Sequence, residues 1–197
     1  MGRRENILNA AASLFATEGY DAVGMDELGA KAGVTGPAIY YYFESKTQLL
    51  AQLLLPTSRG LSEDARHIAS DSANPLDALE RLIDAHLAFV ETHPQLAIIH
   101  SRELHKMDRD DQAEVRQLMR DYLGTWVTVV KSASPLLEPE GARILTQGVF
   151  AMINGIPLVN RRALIGERLE VVRHMTYGLI GSLVPALAYK LAVPEAH

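Results

Sequence analysis

The chain has 197 residues, 48% hydrophobic and 22% charged, with a formal net charge of -5, which is enough apolar material for a substantial core and places it between one and two domains. It contains no cysteine, so disulfides, thiolate catalysis and cysteine-ligated zinc are excluded, and the composition suits a reducing compartment. No early stretch has the basic, apolar and small-residue order of a signal peptide, and no apolar run approaches the roughly eighteen residues that span a bilayer, so a cytoplasmic protein without a membrane segment is expected.

In chain order, residues 3 to 18 read as a helix with Ile7, Leu8, Ala11, Leu14 and Phe15 on one face and Gly19 just past its end. A second, short helix follows, in which Leu28 and Ala32 share a face and Gly33 supplies the left-handed stop. Pro37 fits the first turn of a third helix, from about Gly36 to Phe43, whose buried side is marked by Ile39 and Phe43. Pro37, Ala38 and Tyr41 then point outward, and Tyr40 and Tyr42 lie on the flanks, where a phenol packs its ring and sends its hydroxyl to a phosphate. Ser45 caps a fourth helix, which Pro56 should end or kink before it resumes from about Ser58 to Ser70. The compact turn between the second and third helices has helix-turn-helix spacing.

Asn74-Pro75 opens a fifth helix, with Leu79, Leu82, Ile83, His86, Leu87 and Val90 on one side, and His93-Pro94 stops it. Two more helices are expected over residues 95 to 106 and 109 to 132, the latter carrying Val115, Leu118, Met119, Tyr122, Trp126 and Val129. After a loop with Pro135, Pro139 and Gly141, the last two helices run from about 140 to 163 and 167 to 190, with kinks at Pro157 and Pro185. Along the final helix Leu169, Val172, Thr176, Leu179, Leu183 and Leu187 form one stripe, widened by Met175, Ile180 and Val184. A helix apolar on two sides needs a second partner surface, and Gly148, Gly155, Gly178 and Gly181 let backbones approach closely. No strand alternation or internal repeat appears, and an all-α chain of about nine helices is expected.

Residues 1 to 54 resemble the DNA-binding domain of the TetR family of one-component repressors. The resemblance rests on Ile7-Leu-Asn-Ala-Ala, Leu14-Phe-Ala-Thr-Glu-Gly-Tyr20, Asp26-Glu-Leu-Gly-Ala-Lys-Ala-Gly-Val34, Ile39-Tyr-Tyr-Tyr-Phe and Ser45-Lys46, and it is collinear and ungapped. It implies a helix-turn-helix domain over residues 1–54 and a ligand-binding and dimerisation domain over 55–197. It further implies a homodimer, joined through residues 140–190 in a four-helix bundle, that binds a palindromic double-stranded DNA operator and releases it on meeting a small molecule. Position by position, base-edge contacts are implied for Thr35, Gly36, Pro37 and Ala38, and phosphate contacts for Tyr40, Tyr41, Tyr42 and Lys46. At position 24, where the family usually carries a hydroxyl-bearing cap, stands Gly24, which offers no side-chain donor. Arg3 and Arg4 stand at the very start of helix one, within reach of a neighbouring phosphate. Residues 1 to 54 hold Arg3, Arg4, Lys31 and Lys46 against Glu5, Glu18, Asp21, Asp26, Glu27 and Glu44, so any positive face must be local, made from a few cations and helix N-termini.

Effector domains of this family share a helical plan without a shared pocket motif. The candidates for a ligand are large or soft apolar groups on helices five, seven and eight (Phe89, Tyr122, Trp126, Phe150 and Met152) and polar groups set among apolar ones (His86, His100, Arg102, Glu103, Gln147 and Asn154). Arg102 and Glu103 have the alternative of pairing with surface charges. The segment Pro94 to His105 looks like the corresponding helix of TetR regulators with lipid-like or acyl-thioester effectors, so the expected ligand is hydrophobic, with fatty acyl-coenzyme A as its leading form. A helical enzyme or metal protein is the distant alternative. His86, His93 and His100 recur every seven residues, but Pro94 breaks the helix between them. No His-Glu-x-x-His, Gly-x-Ser-x-Gly or glycine-rich phosphate loop occurs, so no catalytic residue, metal site or cofactor is expected. An activator, or a repressor without an effector, is the nearer alternative, because the sign of regulation depends on where the operator lies.

Overall fold

The computed structural model describes residues 2–159 and 167–187, and among these it contains nine α-helices and no strand. They are α1 (Arg3–Glu18), α2 (Met25–Ala32), α3 (Gly36–Ile39), α4 (Lys46–Asp71), α5 (Pro75–Thr92), α6 (Pro94–Glu103), α7 (Arg109–Ala133), α8 (Pro139–Val159) and α9 (Glu167–Gly181), with a 3-10 turn at Leu104–Lys106 after α6. The chain divides into two compact units: residues 1–60 with 95–118, and residues 61–94 with 119–197. Thus the segment carrying α6 and the start of α7 belongs with the N-terminal helices, and α4 and α7 each contribute residues to both units.

In the first unit, Ile7, Ala11, Leu14 and Phe15 of α1 are buried together with Leu28, Ile39, Phe43, Leu49 and Leu50. The turn from α2 to α3 is set by glycine. Gly33 has φ 73° and ψ 31°, and its N–H donates to Ala30 O while Val34 N–H donates to Gly29 O at 2.9 Å, the paired bonds of a Schellman stop. Gly29 is also where the two helices touch, since a Cβ there would lie 2.7 Å from Gly36 N and 2.8 Å from both Thr35 C and Val34 O. At α4, Ser45 Oγ accepts from Gln48 N–H at 3.0 Å and Gln48 Oε1 accepts from Glu44 N–H at 2.7 Å, a reciprocal cap.

In the second unit, Asn74 Oδ1 accepts from Leu76 and Asp77 N–H, both at 3.0 Å, and starts α5. The α5 face buries Leu79, Leu82, Ile83, His86, Leu87 and Val90. Arg173 of α9 pairs with Asp84 of α5, and Lys131 Nζ holds the α7–α8 connection through Pro135 O and Leu137 O at 2.8 and 2.7 Å.

Three helices differ from the sequence expectation. The third helix ends at Ile39; Tyr40, Tyr41 and Tyr42 donate instead to Pro37, Ala38 and Ile39, i→i−3 bonds that tighten the last turn and swing Phe43 into the core. Pro56 neither ends nor divides the fourth helix, which runs unbroken from Lys46 to Asp71. One missing N–H costs a single bond there, and the buried side of the helix continues past it, from Leu53, Leu54 and Leu55 to Ser58, Ser62 and Ala65. The last helix stops at Gly181, ahead of Pro185, with Leu183 and Val184 N–H both turning back onto Ile180 O, because proline disfavours helical backbone at the residue before it. Its buried stripe is accordingly Leu169, Val172, Thr176, Ile180 and Val184, while Leu179 and Leu183 are exposed. The expected ends of the last two helices, at 163 and 190, lie outside the described residues.

The Gly29 contact predicts opposite signs for two glycine-to-alanine changes. Gly29→Ala should lower stability by about 1–2 kcal/mol, because its methyl meets backbone and the resulting strain exceeds the helix-propensity gain. Gly60→Ala, in α4 with nothing within 4 Å of its Cβ position, should raise it by up to about 1 kcal/mol. Urea unfolding of both variants beside the parent measures the difference.

Candidate functional site

The outer edge of the first unit is built by the glycine turn. Thr35 precedes α3 in extended conformation, φ −81° and ψ 153°, and its hydroxyl makes no capping bond. Thr35 and Pro37 are exposed, Ala38 is half-buried, and Tyr40, Tyr41 and Tyr42 follow, Tyr41 being 88% exposed. Three consecutive phenols thus stand in graded exposure just past the end of α3. Gly36 differs from the expectation of a base contact. It is buried, and a Cβ on it would run into the Asp26 side chain, so it serves the α2–α3 contact rather than the free edge.

The cations near this edge are held by the protein. Lys46 Nζ donates to Tyr20 O at 2.7 Å and Val23 O at 2.9 Å and lies 4.3 Å from the Tyr20 ring centroid. An ammonium has three N–H donors, so at most one remains for a phosphate. Arg4 Nη2 donates to Gln52 Oε1 at 2.6 Å, with its guanidinium 5.1 Å from the Phe43 ring. Arg3 and Lys31 are exposed. Gly24 sits at the α2 N-cap with φ −91° and no side-chain bond. The sequence reading missed one feature of this unit. Lys106 pairs with Asp21 on the α1–α2 turn, and buried Glu103 places Oε1 3.5 Å from where a Gly19 Cβ would be. A separation of 85 residues leaves no local signal for such a contact.

In the second unit, His86 and Phe89 of α5, Tyr122 and Trp126 of α7 and Phe150 of α8 converge into one ring cluster. His86 lies 4.9 Å from Phe150, 5.9 Å from Tyr122 and 6.0 Å from Trp126 between centroids. Tyr122 stacks on Phe150 at 5.3 Å and 11°, and Trp126 meets Phe150 edge-on at 5.1 Å. Phe89 reaches His86 on one side and His93 on the other. Tyr122 Oη and His86 Nδ1 are hydrogen-bonded at 3.1 Å. His86 Nε2 and Trp126 Nε1 are buried without a partner. Asn154 lies near His86 without reaching hydrogen-bond geometry at Nε2, and Tyr122 stands in the same relation to Trp126 Nε1. Burial drives the His86 imidazole down to about 4, with Asn154 opposing weakly, and pushes the Tyr122 phenol well above its ordinary range. What the cluster offers is an apolar, aromatic wall with two unmatched ring nitrogens.

His100 and Arg102 lie on α6, in the first unit, whereas the ring cluster belongs to the second. Arg102 is exposed. His100 Nε2 is buried and unpaired, and burial holds its imidazole below the usual range. Gln147 is exposed and Met152 half-buried. Among the described residues no group of three or more His, Cys, Asp or Glu is arranged to hold a metal ion, and no helix is long and apolar enough to cross a membrane.

The buried imidazole predicts a pH dependence. Between about pH 6.5 and 4 the unfolded chain binds a proton at position 86 that the folded chain refuses, so stability falls as pH drops through that window. The parent protein should lose roughly 3 kcal/mol more than His86→Gln between pH 7 and 4, read as the difference in slope of urea-unfolding free energy against pH. Equal slopes would remove the desolvated His86.

Comparison with known proteins agrees with this architecture. Residues 7–53 match the profile of bacterial regulatory proteins of the tetR family, and residues 72–158 match the tetracyclin repressor-like C-terminal domain. The HTH-type transcriptional repressor KstR2 of Mycobacterium tuberculosis is 30% identical over 105 residues, 53% of this chain and 52% of the relative. The HTH-type transcriptional activator FasR of Mycolicibacterium smegmatis is 32% identical over 93 residues, 47% of this chain and 42% of the relative. The chain therefore spans about half the length of these curated relatives. The solved structure of KstR2 superposes with a TM-score of 0.82 at 20% identity, covering 93% of this chain and 95% of that one. AibR in complex with isovaleryl coenzyme A and operator DNA superposes with a TM-score of 0.75 at 21% identity, covering 93% and 99%. With both of its domains matched in order and its helices superposing throughout, the chain belongs to the TetR family of DNA-binding transcriptional regulators.

Proposed function

We propose that this protein is a cytoplasmic, non-enzymatic repressor that binds a palindromic operator as a homodimer and is released by a small hydrophobic effector, an acyl-coenzyme A or similar lipid-like molecule. The observation that carries DNA binding is the exposed Thr35, Pro37 and Tyr41 edge, held on a glycine-locked helix-turn-helix. Such a second helix lies in the major groove while its flanking hydroxyls and amides hold the backbone.

Dimerisation is supported by an uncovered apolar face. On α8, Ile144, Gly148, Ala151, Gly155 and Leu158 recur in steps of four and three, and the side chains of Ile144, Ala151 and Leu158 are exposed. On α9, Val171 is 59% and Met175 50% exposed, and Leu179, with Leu183 just past the helix end, continues the row. Apolar rows of this kind on two adjacent helices are the seam of a helical bundle, and a second copy presenting the same rows would bury both by two-fold symmetry. Part of the 140–190 region lies outside the described residues, and the seam is read from those described.

The effector reading is supported by the ring cluster of the second unit, where apolar walls and two unmatched nitrogens await an acceptor-bearing, otherwise apolar molecule. One structural neighbour was solved holding isovaleryl coenzyme A together with operator DNA. Release follows from linkage: the effector shifts the dimer only by as much as it prefers the spacing that cannot span two major grooves, typically about 1–3 kcal/mol. The activator alternative has one support, the name of the FasR relative, and differs only in where the operator lies.

The test uses the intact protein. Duplexes selected from random DNA should converge on an inverted repeat, bound by a species that sediments as a dimer. Leu179→Glu, in the α9 row, should yield monomers and weaken operator binding at least tenfold. Trp126 is the single tryptophan of the chain, so its fluorescence reports binding at the cluster. Acyl-coenzyme A thioesters should change that signal and release DNA, whereas coenzyme A alone should do neither. Selection that yields no inverted repeat, or a dimer indifferent to every acyl-coenzyme A, would refute the corresponding half.

A further inference from the structure

The side chains on the exposed α3 edge have a narrow chemistry. Thr35, Pro37, Tyr40 and Tyr41 are exposed and Ala38 is half-buried, whereas Gly36, Ile39 and Phe43 are buried. From Thr35 to Phe43 there is no Arg, Lys, Asn, Gln, Asp or Glu. Guanine is read in the major groove by a pair of donors on O6 and N7, and adenine by a carboxamide on N6 and N7. Those contacts need a guanidinium, an ammonium or an amide, and this edge has none. Hydroxyls of Thr35 and the tyrosines offer single bonds only. What the edge presents at the start of α3 is the Thr35 γ-methyl, the Pro37 ring and the Ala38 methyl. The one apolar group on a base edge in that groove is the C5-methyl of thymine.

The nearby cations do not change this inventory. Lys46 is engaged by Tyr20 O and Val23 O, and Arg4 by Gln52. Lys31 sits in the last turn of α2, the helix that crosses the phosphate backbone in a helix-turn-helix. A methyl-to-methyl contact also needs a firm mount, because dispersion fades within a fraction of an ångström. The mount is present: Gly29 packs against the Thr35–Gly36 backbone, Gly36 lodges against Asp26, and the Thr35 side chain is not tied into a cap.

We infer that this chain selects its operator chiefly through thymine methyl groups touched by Thr35, Pro37 and Ala38, rather than through hydrogen bonds to guanine or adenine. The inference rests on the DNA-binding reading above and adds the chemical group that is read.

A duplex selected by the intact protein from random DNA supplies the probe. Each thymine of a half-site is replaced in turn by 2′-deoxyuridine, which keeps every hydrogen-bonding group and removes only the methyl. Each guanine is separately replaced by 7-deazaguanine, which removes the N7 acceptor. Affinity should fall about fourfold for each contacted methyl, at one or more thymines per half-site, and 7-deazaguanine should leave it within twofold. Thr35→Ser retains the hydroxyl and removes the methyl, and in that variant one of the deoxyuridine effects should vanish while the others persist. Uracil-substituted operators that bind as tightly as the parent, or a tenfold loss at any 7-deazaguanine, would overturn the inference while leaving sequence-specific binding intact. A protein that selects no sequence at all would instead overturn the DNA-binding reading itself.

Discussion

The contact between Gly29 and the Thr35–Gly36 backbone sets the geometry of the DNA-facing unit. Its reach is short, with hypothetical Cβ distances of 2.7 and 2.8 Å to main-chain atoms, so the two helices meet backbone to backbone. Backbone contact leaves little freedom of angle, since no flexible side chain sits between to absorb a shift. Gly33 supplies the left-handed turn that makes the approach possible, and Gly36 opens the space into which Asp26 folds. The exposed row from Thr35 to Tyr41 therefore has a fixed position relative to α1 and α2 even though α3 itself is only Gly36–Ile39, too short to be stable alone.

That rigidity bears on how a net-acidic segment meets a polyanion. Lys46 and Arg4 are committed to neighbours within their own unit, Lys46 to the carbonyls of Tyr20 and Val23 and Arg4 to Gln52 and the Phe43 face. Their charges still lie close to the edge, but they act as fixed fields rather than as mobile arms. Lys106 meanwhile pairs with Asp21 and so offsets one acid of the α1–α2 turn. Charges pre-placed by the fold lose little side-chain entropy when a phosphate arrives, which favours a few oriented contacts over many diffuse ones. Such a surface relies on register and shape, consistent with the short methyl-bearing side chains at its centre.

How legible this was in the sequence depended on whether the deciding contact was local. Every residue read onto the α5 face is buried, with only Ala78 missed, because its apolar spacing and the Asn74 cap are both intrinsic to one helix. Arg3–Glu18 was likewise bounded correctly by its periodicity and Gly19. Errors came where two local rules competed. Pro56 was weighed as a stop or a kink, but the helix runs on past it with its buried side carried by Ser58, Ser62 and Ala65; Pro185 was weighed as a kink, and there the helix had already ended. The stripe on α9 was misphased at Leu179 and Leu183 because both are apolar and only tertiary packing separates a covered leucine from an uncovered one. For the ligand candidates, His86, Phe89, Tyr122, Trp126 and Phe150 were chosen as bulky or polar residues on helices five, seven and eight, and geometry gathered them. His100 and Arg102 were chosen by the same reasoning from α6, which packs with the N-terminal unit. Neither that placement nor the Lys106 to Asp21 pair has any signature in the chain.

The ring cluster carries an energetic imbalance of its own. A buried polar ring nitrogen with no partner costs about 1–3 kcal/mol, and Trp126 Nε1 and His86 Nε2 are both in that position. The cost is tolerated because the same rings bring large apolar areas and edge-to-face contacts. Tyr122 fixes which nitrogen is orphaned: where its hydroxyl donates to Nδ1, a neutral His86 carries its proton on Nε2, and the depressed imidazole stays neutral at physiological pH. A molecule that placed one carbonyl oxygen at either nitrogen would recover a penalty of the same order as the 1–3 kcal/mol by which effectors typically couple two sites. Recovery alone would only tighten binding. It becomes regulation to the extent that the acceptor is reachable in one conformation of the protein and not in another, because a ligand held equally by both shifts neither.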